Sequence, residues 1–145
     1  MAIALLPDPD LAPDAVHRRR TVLVAIGGVD RRDVEAIRHA LRVPADDRRA
    51  VHVGPDDEGV AAAWCAHFPD GLPLELVAGP DVAAAVADEA RRTLHDGAAE
   101  VLVVIGRLAG RGLRRRLLHD GTADAIAAAI AAVPGATAEV VSVAT

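Results

Sequence analysis

The feature that most constrains the fold is an alternation of short apolar runs with longer segments of helical periodicity, repeated along residues 20–145. The apolar runs are four to six residues long and rich in β-branched side chains, which is typical of strands buried on both faces. Five such runs are present, at residues 21–26, 49–53, 74–77, 101–105 and 139–143. This spacing indicates strands that are joined by crossover helices rather than by hairpin turns.

The segments between the runs predict four helices, over residues 33–41, 56–67, 82–95 and 122–132. Strands and helices that alternate in this way predict a single doubly wound α/β domain with right-handed crossovers. We expect a five-stranded parallel sheet in the order 3-2-1-4-5, with helices on both faces. Ligands of such sheets bind beyond the carboxyl ends of the strands, at the point where the strand order reverses.

Residues 1–19 have a different composition from the rest of the chain. Pro7, Pro9 and Pro13 alternate with aspartates, which predicts an extended arm in front of the domain. The apolar opening is too short to span a bilayer, and no basic residue precedes it as in a secretory leader. We therefore expect a cytoplasmic domain over residues 20–145 that does not insert into the membrane.

Composition excludes several classes of function. The formal net charge is −5, and Trp64 and Phe68 are the only aromatic residues, so neither a basic face nor a stacking platform for nucleic acid is expected. A single cysteine, Cys65, rules out an internal disulfide and a cysteine-based zinc site; its place beside Trp64 predicts a packed thiol. Ser142 is the only serine and lies within a strand, so we expect no catalytic residues and no bound metal.

Two glycine-rich segments follow the first and fourth strands, at residues 27–30 and 106–112. Backbone N–H groups of such segments, together with a helix N-terminus, can hold phosphate groups. The alternative is that these glycines only permit tight turns. The candidate nucleotide-binding residues come from these segments, the end of strand two and the start of the last helix: Gly27, Gly28, Asp30, Val53, Gly106, Arg107, Gly110, Gly112, Gly121 and Thr122.

Several of these motifs resemble the universal stress protein family. The pair Gly121-Thr122 after the strand-four segment and the strand ending Val51-His52-Val53 carry the resemblance, which covers residues 20–145. Residues 116–123 (RLLHDGTA) and 72–74 are similar to the universal-stress-type cytoplasmic domains of bacterial amino-acid and potassium permeases. The resemblance implies a regulatory domain with a possible membrane transporter partner, and cyclic di-AMP as the implied ligand.

ATP-binding members of that family carry G-x2-G-x9-G-(S/T) after strand four, and this chain departs from the pattern. The interval from Gly110 to Gly121 is one residue too long, and Gly27 stands where those members place an aspartate. Three alternative functions are therefore expected. The first is a dimeric, non-enzymatic sensor of an adenine nucleotide such as cyclic di-AMP. The second is a ligand-free dimerisation or docking module, and the third is a protein that binds ATP or AMP with slow hydrolysis.

The last strand predicts a partner surface. It is apolar and lies at an edge of the predicted sheet, where an uncovered strand invites pairing with another chain. Family members commonly pair this edge across a two-fold axis. We therefore expect a homodimer through Val140, Val141, Ser142 and Val143.

Overall fold

A computed structural model describes residues 19–27, 31–53, 59–67, 72–77, 79–109 and 121–144. Within these residues five parallel strands form one sheet in the order β3-β2-β1-β4-β5, and four helices connect them. This confirms the predicted single α/β domain and its strand order. The elements are β1 (Arg20–Ile26), α1 (Arg31–Arg42), β2 (Asp47–Val53), α2 (Val60–His67), β3 (Leu74–Val77), α3 (Val82–His95), β4 (Glu100–Ala109), α4 (Gly121–Ala131) and β5 (Ala136–Ala144).

Two apolar cores lie on the two faces of the sheet. Successive side chains of a strand point to opposite faces, so the central strand β1 contributes to both cores. Val24 and Ile26 pack against α1 and α2, with Trp64 of α2 in the same cluster. Leu23 and Ala25 pack on the other face, beneath α3 and α4. An apolar run such as β1 is therefore buried on both faces, as its composition predicts.

The two strands at one side of the sheet are longer than the apolar runs suggest. We expect strand four to end at Ile105, but β4 continues to Ala109 and pairs with β5 as far as Ala144. Gly106 and Arg107 therefore lie in a strand rather than in a loop. The pairing of β1 with β4 ends at Ala25 and Ile105, so among the described residues β5 is the only strand that pairs with the last part of β4.

The predicted arm lies almost wholly outside the described residues, because the structure describes the chain from Arg19 onward, apart from the gaps given above. None of the helices among the described residues has the length and apolar character needed to cross a membrane.

Helix α2 is joined to the start of β3 by its tryptophan. The indole N–H of Trp64 donates to the Leu72 carbonyl oxygen at 2.8 Å, and Trp64 is buried. Cys65, one position further along the helix, is exposed. The predicted packed thiol is wrong, because the helical rotation of about 100° per residue turns Cys65 away from the sheet when Trp64 faces it.

This geometry predicts that the Cys65 thiol reacts in the folded protein. Titration with Ellman's reagent in native buffer will label one thiol per chain, and urea will increase the extent of labelling little. Emission from the buried Trp64 will stay blue-shifted after labelling, which serves as the control for an intact fold. A thiol that reacts only in urea would contradict the placement of Cys65.

Candidate ligand-binding site

A cavity lies at the carboxyl ends of β1 and β4, where the strand order reverses. Its volume is about 160 Å³. The ends of β1, β2 and β4 and the N-terminal parts of α1, α3 and α4 line it. The lining residues are Ala25, Ile26, Gly27, Arg32, Asp33, Val51, Val53, Val82, Val86, Ile105, Gly106, Thr122, Ala123 and Ile126.

The wall of this cavity is mainly apolar and carries a small polar group. Valine and isoleucine side chains of the strands, α3 and α4 supply the apolar part. Arg32, Asp33 and Thr122 supply the polar side chains. Arg32 is half-buried and Thr122 is exposed, so both border the opening, whereas Asp33 is only 2% exposed. A mainly apolar wall with a few polar groups is typical of small-molecule sites.

Four of the candidate nucleotide-binding residues line this single cavity: Gly27, Val53, Gly106 and Thr122. The structure thus brings together the residue that follows β1 and residues of β2, β4 and α4. Arg107 is not among the described lining residues, and Gly121 is the first residue of α4. The remaining candidates, Gly28, Asp30, Gly110 and Gly112, lie outside the described residues.

Arg107 is engaged away from the cavity. Its guanidinium donates to the Asp124 carboxylate of α4 at 3.2 Å and contacts the Ser142 hydroxyl of β5 at 3.4 Å. These contacts hold the first turn of α4 against the extended part of the β4–β5 pair.

Gly106 has a packing role that the sequence does not reveal. A Cβ atom at this position would lie 2.2 Å from the carbonyl oxygen of Arg32 and 2.8 Å from its carbonyl carbon. The backbone of α1 therefore approaches β4 so closely that no side chain fits between them. A Cβ on Gly27 would be 3.5 Å from the Arg32 Nη2 atom, which is an ordinary contact.

Sequence reasoning missed Arg32 and Asp33 as site residues. Asp33 lies in the first turn of α1, and its carboxylate accepts a hydrogen bond from the Gly27 backbone N–H at 3.3 Å. An acidic group therefore stands beside the end of β1, although Gly27 directly follows the strand. The available signal was an acid in the first turn of the helix after β1.

The predicted partner surface lies on the edge strand β5, which pairs with β4 and has no second strand partner among the described residues. Val140 and Val141 are half-buried on opposite faces of the sheet, and Val143 is buried. Ser142 is exposed and contacts Arg107.

Comparison with known proteins gives one family. The family model described as the KimA potassium transporter C-terminal domain matches residues 17–143. The search of curated proteins finds no match. The matched range contains the nine described elements, apart from the last residue of β5, and all the described lining residues of the cavity. It agrees with the permease-domain part of the resemblance seen in the sequence, and the chain belongs to the family of KimA potassium transporter C-terminal domains.

Proposed function

We propose that this chain is a non-enzymatic regulatory domain of a potassium transporter, which binds an adenine nucleotide such as cyclic di-AMP in the cavity. The observation that carries the proposal is the cavity itself, which has an apolar wall, the half-buried Arg32 and the buried Asp33. The family match supports the role at a potassium transporter, because the chain belongs to a family of C-terminal domains of such transporters. We place the domain in the cytoplasm, with the membrane part of a transporter as its partner.

The dimensions of the cavity suit part of a nucleotide. Sites that enclose a drug-sized ligand typically measure about 300–1,000 Å³. At about 160 Å³ this cavity can enclose a base or a ribose, with the remaining groups at the opening. Val53, Val86 and Ile126 would contact the enclosed part, and Arg32 and Thr122 the polar part.

Nucleotide binding will appear as thermal stabilisation of the purified protein. A ligand present at 100 times its dissociation constant that binds only the folded state stabilises it by about 2.7 kcal/mol. For a domain of this size that corresponds to roughly 5–11 °C in Tm. We expect a shift with cyclic di-AMP and none with cyclic di-GMP; a shift with ATP alone would favour the ATP-binding alternative.

A variant that fills the cavity tests whether the ligand binds there, and a variant with the same change outside the cavity is its control. Ala123→Leu adds atoms to a residue that lines it, whereas Ala128→Leu adds the same atoms at an exposed position of α4. Ala123→Leu will abolish the shift with cyclic di-AMP and Ala128→Leu will retain it. The absence of a shift with every adenine nucleotide in the wild-type protein would contradict the proposal.

A second candidate function is a docking or dimerisation module without a ligand. The observation in its favour is that the close approach of α1 accounts for Gly106, and the contacts with α4 and β5 account for Arg107. Neither residue then requires a phosphate to explain its presence. Under this alternative, nucleotides cause no shift and Ala123→Leu raises Tm by filling an empty cavity.

We also propose that two copies pair through β5. The strand offers an unpaired backbone edge within the described residues, and half-buried valines flank it on both faces of the sheet. Edge strands of this kind are usually covered. The wild-type protein will sediment as a dimer at micromolar concentration, and a monomer there would contradict the pairing.

Two proline variants test the edge directly. The N–H groups of neighbouring strand residues point to opposite sides, so one of Val141 and Ser142 faces β4 and the other faces the free edge. A proline at the residue facing the free edge leaves the β4–β5 ladder intact and removes an edge donor. One of Val141→Pro and Ser142→Pro will therefore stay folded and sediment as a monomer, while the other will unfold at lower temperature.

A further inference from the structure

Resting on the proposed nucleotide site, we propose that Arg32 and Asp33 are the residues that recognise the polar groups of the ligand. The Arg32 guanidinium binds a phosphate group of the nucleotide. The Asp33 carboxylate accepts a hydrogen bond from an N–H or O–H group of the nucleoside. In this proposal the two adjacent residues of α1, rather than a glycine-rich loop after strand four, bind the polar groups of the nucleotide.

The backbone of α1 holds Arg32 at the cavity. Its carbonyl group lies against Gly106, where no Cβ atom fits, so the first turn of α1 sits directly on β4. The Arg32 Nη2 atom lies 3.5 Å from the position of a Cβ on Gly27, so the guanidinium crosses the end of β1. Among the described lining residues, Arg32 carries the only positive charge. A phosphate at the opening of the cavity would meet this charge first.

Asp33 is a buried acid beside an apolar wall. Its carboxylate accepts the Gly27 N–H at 3.3 Å, and the residue is 2% exposed. A buried carboxylate is costly unless hydrogen bonds compensate it, so a donor group of a ligand in this cavity would gain a strong partner. Arg32 and Asp33 each have a further interaction with another group of the protein. A guanidinium has five N–H donors and a carboxylate about four lone-pair sites, so a ligand contact can be added to those interactions or exchanged for one of them.

The β4 side of the cavity is less suited to holding phosphate. Gly106 presses against the α1 backbone, and the Arg107 guanidinium binds Asp124 and Ser142. Gly106 leaves no room for a side chain, and Arg107 is not among the described lining residues. The positive charge at the cavity comes instead from Arg32 of α1, and a single arginine there can give a charge-assisted contact.

The experiment compares Arg32→Gln with Arg31→Gln by calorimetric titration. Arg31 is the adjacent arginine of the same helix and is exposed, so it controls for the loss of one positive charge. Cyclic di-AMP and adenosine are the two probes, since adenosine lacks phosphate. Arg32→Gln will weaken cyclic di-AMP binding by about 10- to 100-fold and adenosine binding by less than about threefold. Arg31→Gln will leave both affinities unchanged.

Asp33→Asn tests the second residue. The amide oxygen of asparagine can still accept the Gly27 N–H, so the turn from β1 to α1 is retained while the charge is lost. We expect about tenfold weaker binding of both adenosine and cyclic di-AMP, because the contact is with the nucleoside. Unchanged binding of both probes would show that Asp33 serves the turn alone, and would overturn its assignment.

The outcomes separate this inference from the proposed function. If the wild-type protein binds neither probe, the nucleotide site itself fails. If it binds cyclic di-AMP and Arg32→Gln binds it equally well, the site stands and the role of Arg32 is wrong. Equal losses for both probes would also overturn phosphate recognition. If circular dichroism shows that Arg32→Gln is unfolded, Arg32→Lys decides: it keeps the charge, and we expect weaker cyclic di-AMP binding with unchanged adenosine binding.

Discussion

Replacing Gly106 with alanine will lower the free energy of unfolding by about 3 kcal/mol. The added Cβ would lie 2.2 Å from the Arg32 carbonyl oxygen, far inside van der Waals contact. The obstructing atoms belong to backbone, so relief requires that the whole first turn of α1 move away from β4. Urea unfolding followed at Trp64 measures the change, and the melting temperature will fall by roughly 6–12 °C.

Gly27→Ala is the matched control for this effect. Gly27 directly follows β1 and also lies beside Arg32, but among the described residues its added Cβ would meet the end of the flexible Arg32 side chain, at 3.5 Å, rather than backbone. Its free energy of unfolding will change by less than about 1 kcal/mol. Equal effects of the two substitutions would contradict the close approach of α1 to β4. The displacement of α1 by Gly106→Ala will also weaken cyclic di-AMP binding, because it moves Arg32.

The second large effect is expected at Glu89, a buried acid of α3. Its carboxylate accepts a hydrogen bond from Arg49 of β2 at 2.8 Å and another from Arg92, and only 5% of its side chain is exposed. Arg49 also binds Glu75 of β3 at 3.0 Å and the Thr93 hydroxyl. This network joins α3 to β2 and to the edge strand β3.

Glu89→Ala will destabilise the domain by about 3 kcal/mol, because it leaves Arg49 partly buried with one carboxylate partner instead of two. Asp88→Ala is the control on the same helix. Asp88 pairs with Arg91 at the surface, and both side chains are more than half exposed, so its loss will cost less than about 1 kcal/mol. Urea unfolding of both variants measures the difference, and similar values would show that the buried network adds no stability.

The Glu89 carboxyl also makes the stability of the domain depend on pH. Burial raises the pKa of the Glu89 carboxyl, but hydrogen bonds from Arg49 and the charges of Arg92 and Arg49 outweigh it and hold the pKa below its ordinary value. A carboxyl with a lowered pKa in the folded state stabilises the protein above its unfolded pKa, and this contribution is lost as the pH falls through the folded pKa.

Stability will therefore decline as the pH drops below about 4.3, the ordinary pKa of glutamate. Glu89→Gln will show a shallower decline over the same range, measured as the free energy of unfolding against pH. An identical slope in the variant and the wild-type protein would contradict the lowered pKa of Glu89.

The extent of β4 illustrates where prediction from sequence stops. The apolar run ends at Ile105, and glycine at 106 favours a loop when only neighbouring residues are considered. In the structure, β5 supplies hydrogen-bond partners for β4 as far as Ala109. The end of a strand depends on its partner strand, which lies more than thirty residues away in the chain. The direction of Arg107 follows from the same pairing, since Ser142 lies opposite it.

The residues of the candidate site could also be predicted from the sequence only in part. Gly27, Val53 and Gly106 lie at one cavity because parallel strands place their carboxyl ends at one edge of the sheet, and this could be predicted. The presence of Arg32 and Asp33 there could not. It depends on how closely the first turn of α1 approaches β4, and that distance is set by packing across the whole domain.

The sequence by itself determined the order and type of the elements, the double burial of the central strands and the end of the sheet where a ligand would bind. These properties follow from patterns within ten or so residues, such as alternation, helical spacing and the positions of glycine. The tertiary structure alone decided that Gly106 serves helix packing, that Arg107 binds α4 and β5, and that α1 brings charge to the cavity. Those contacts join residues far apart in the chain, where close packing rather than local preference selects the neighbour.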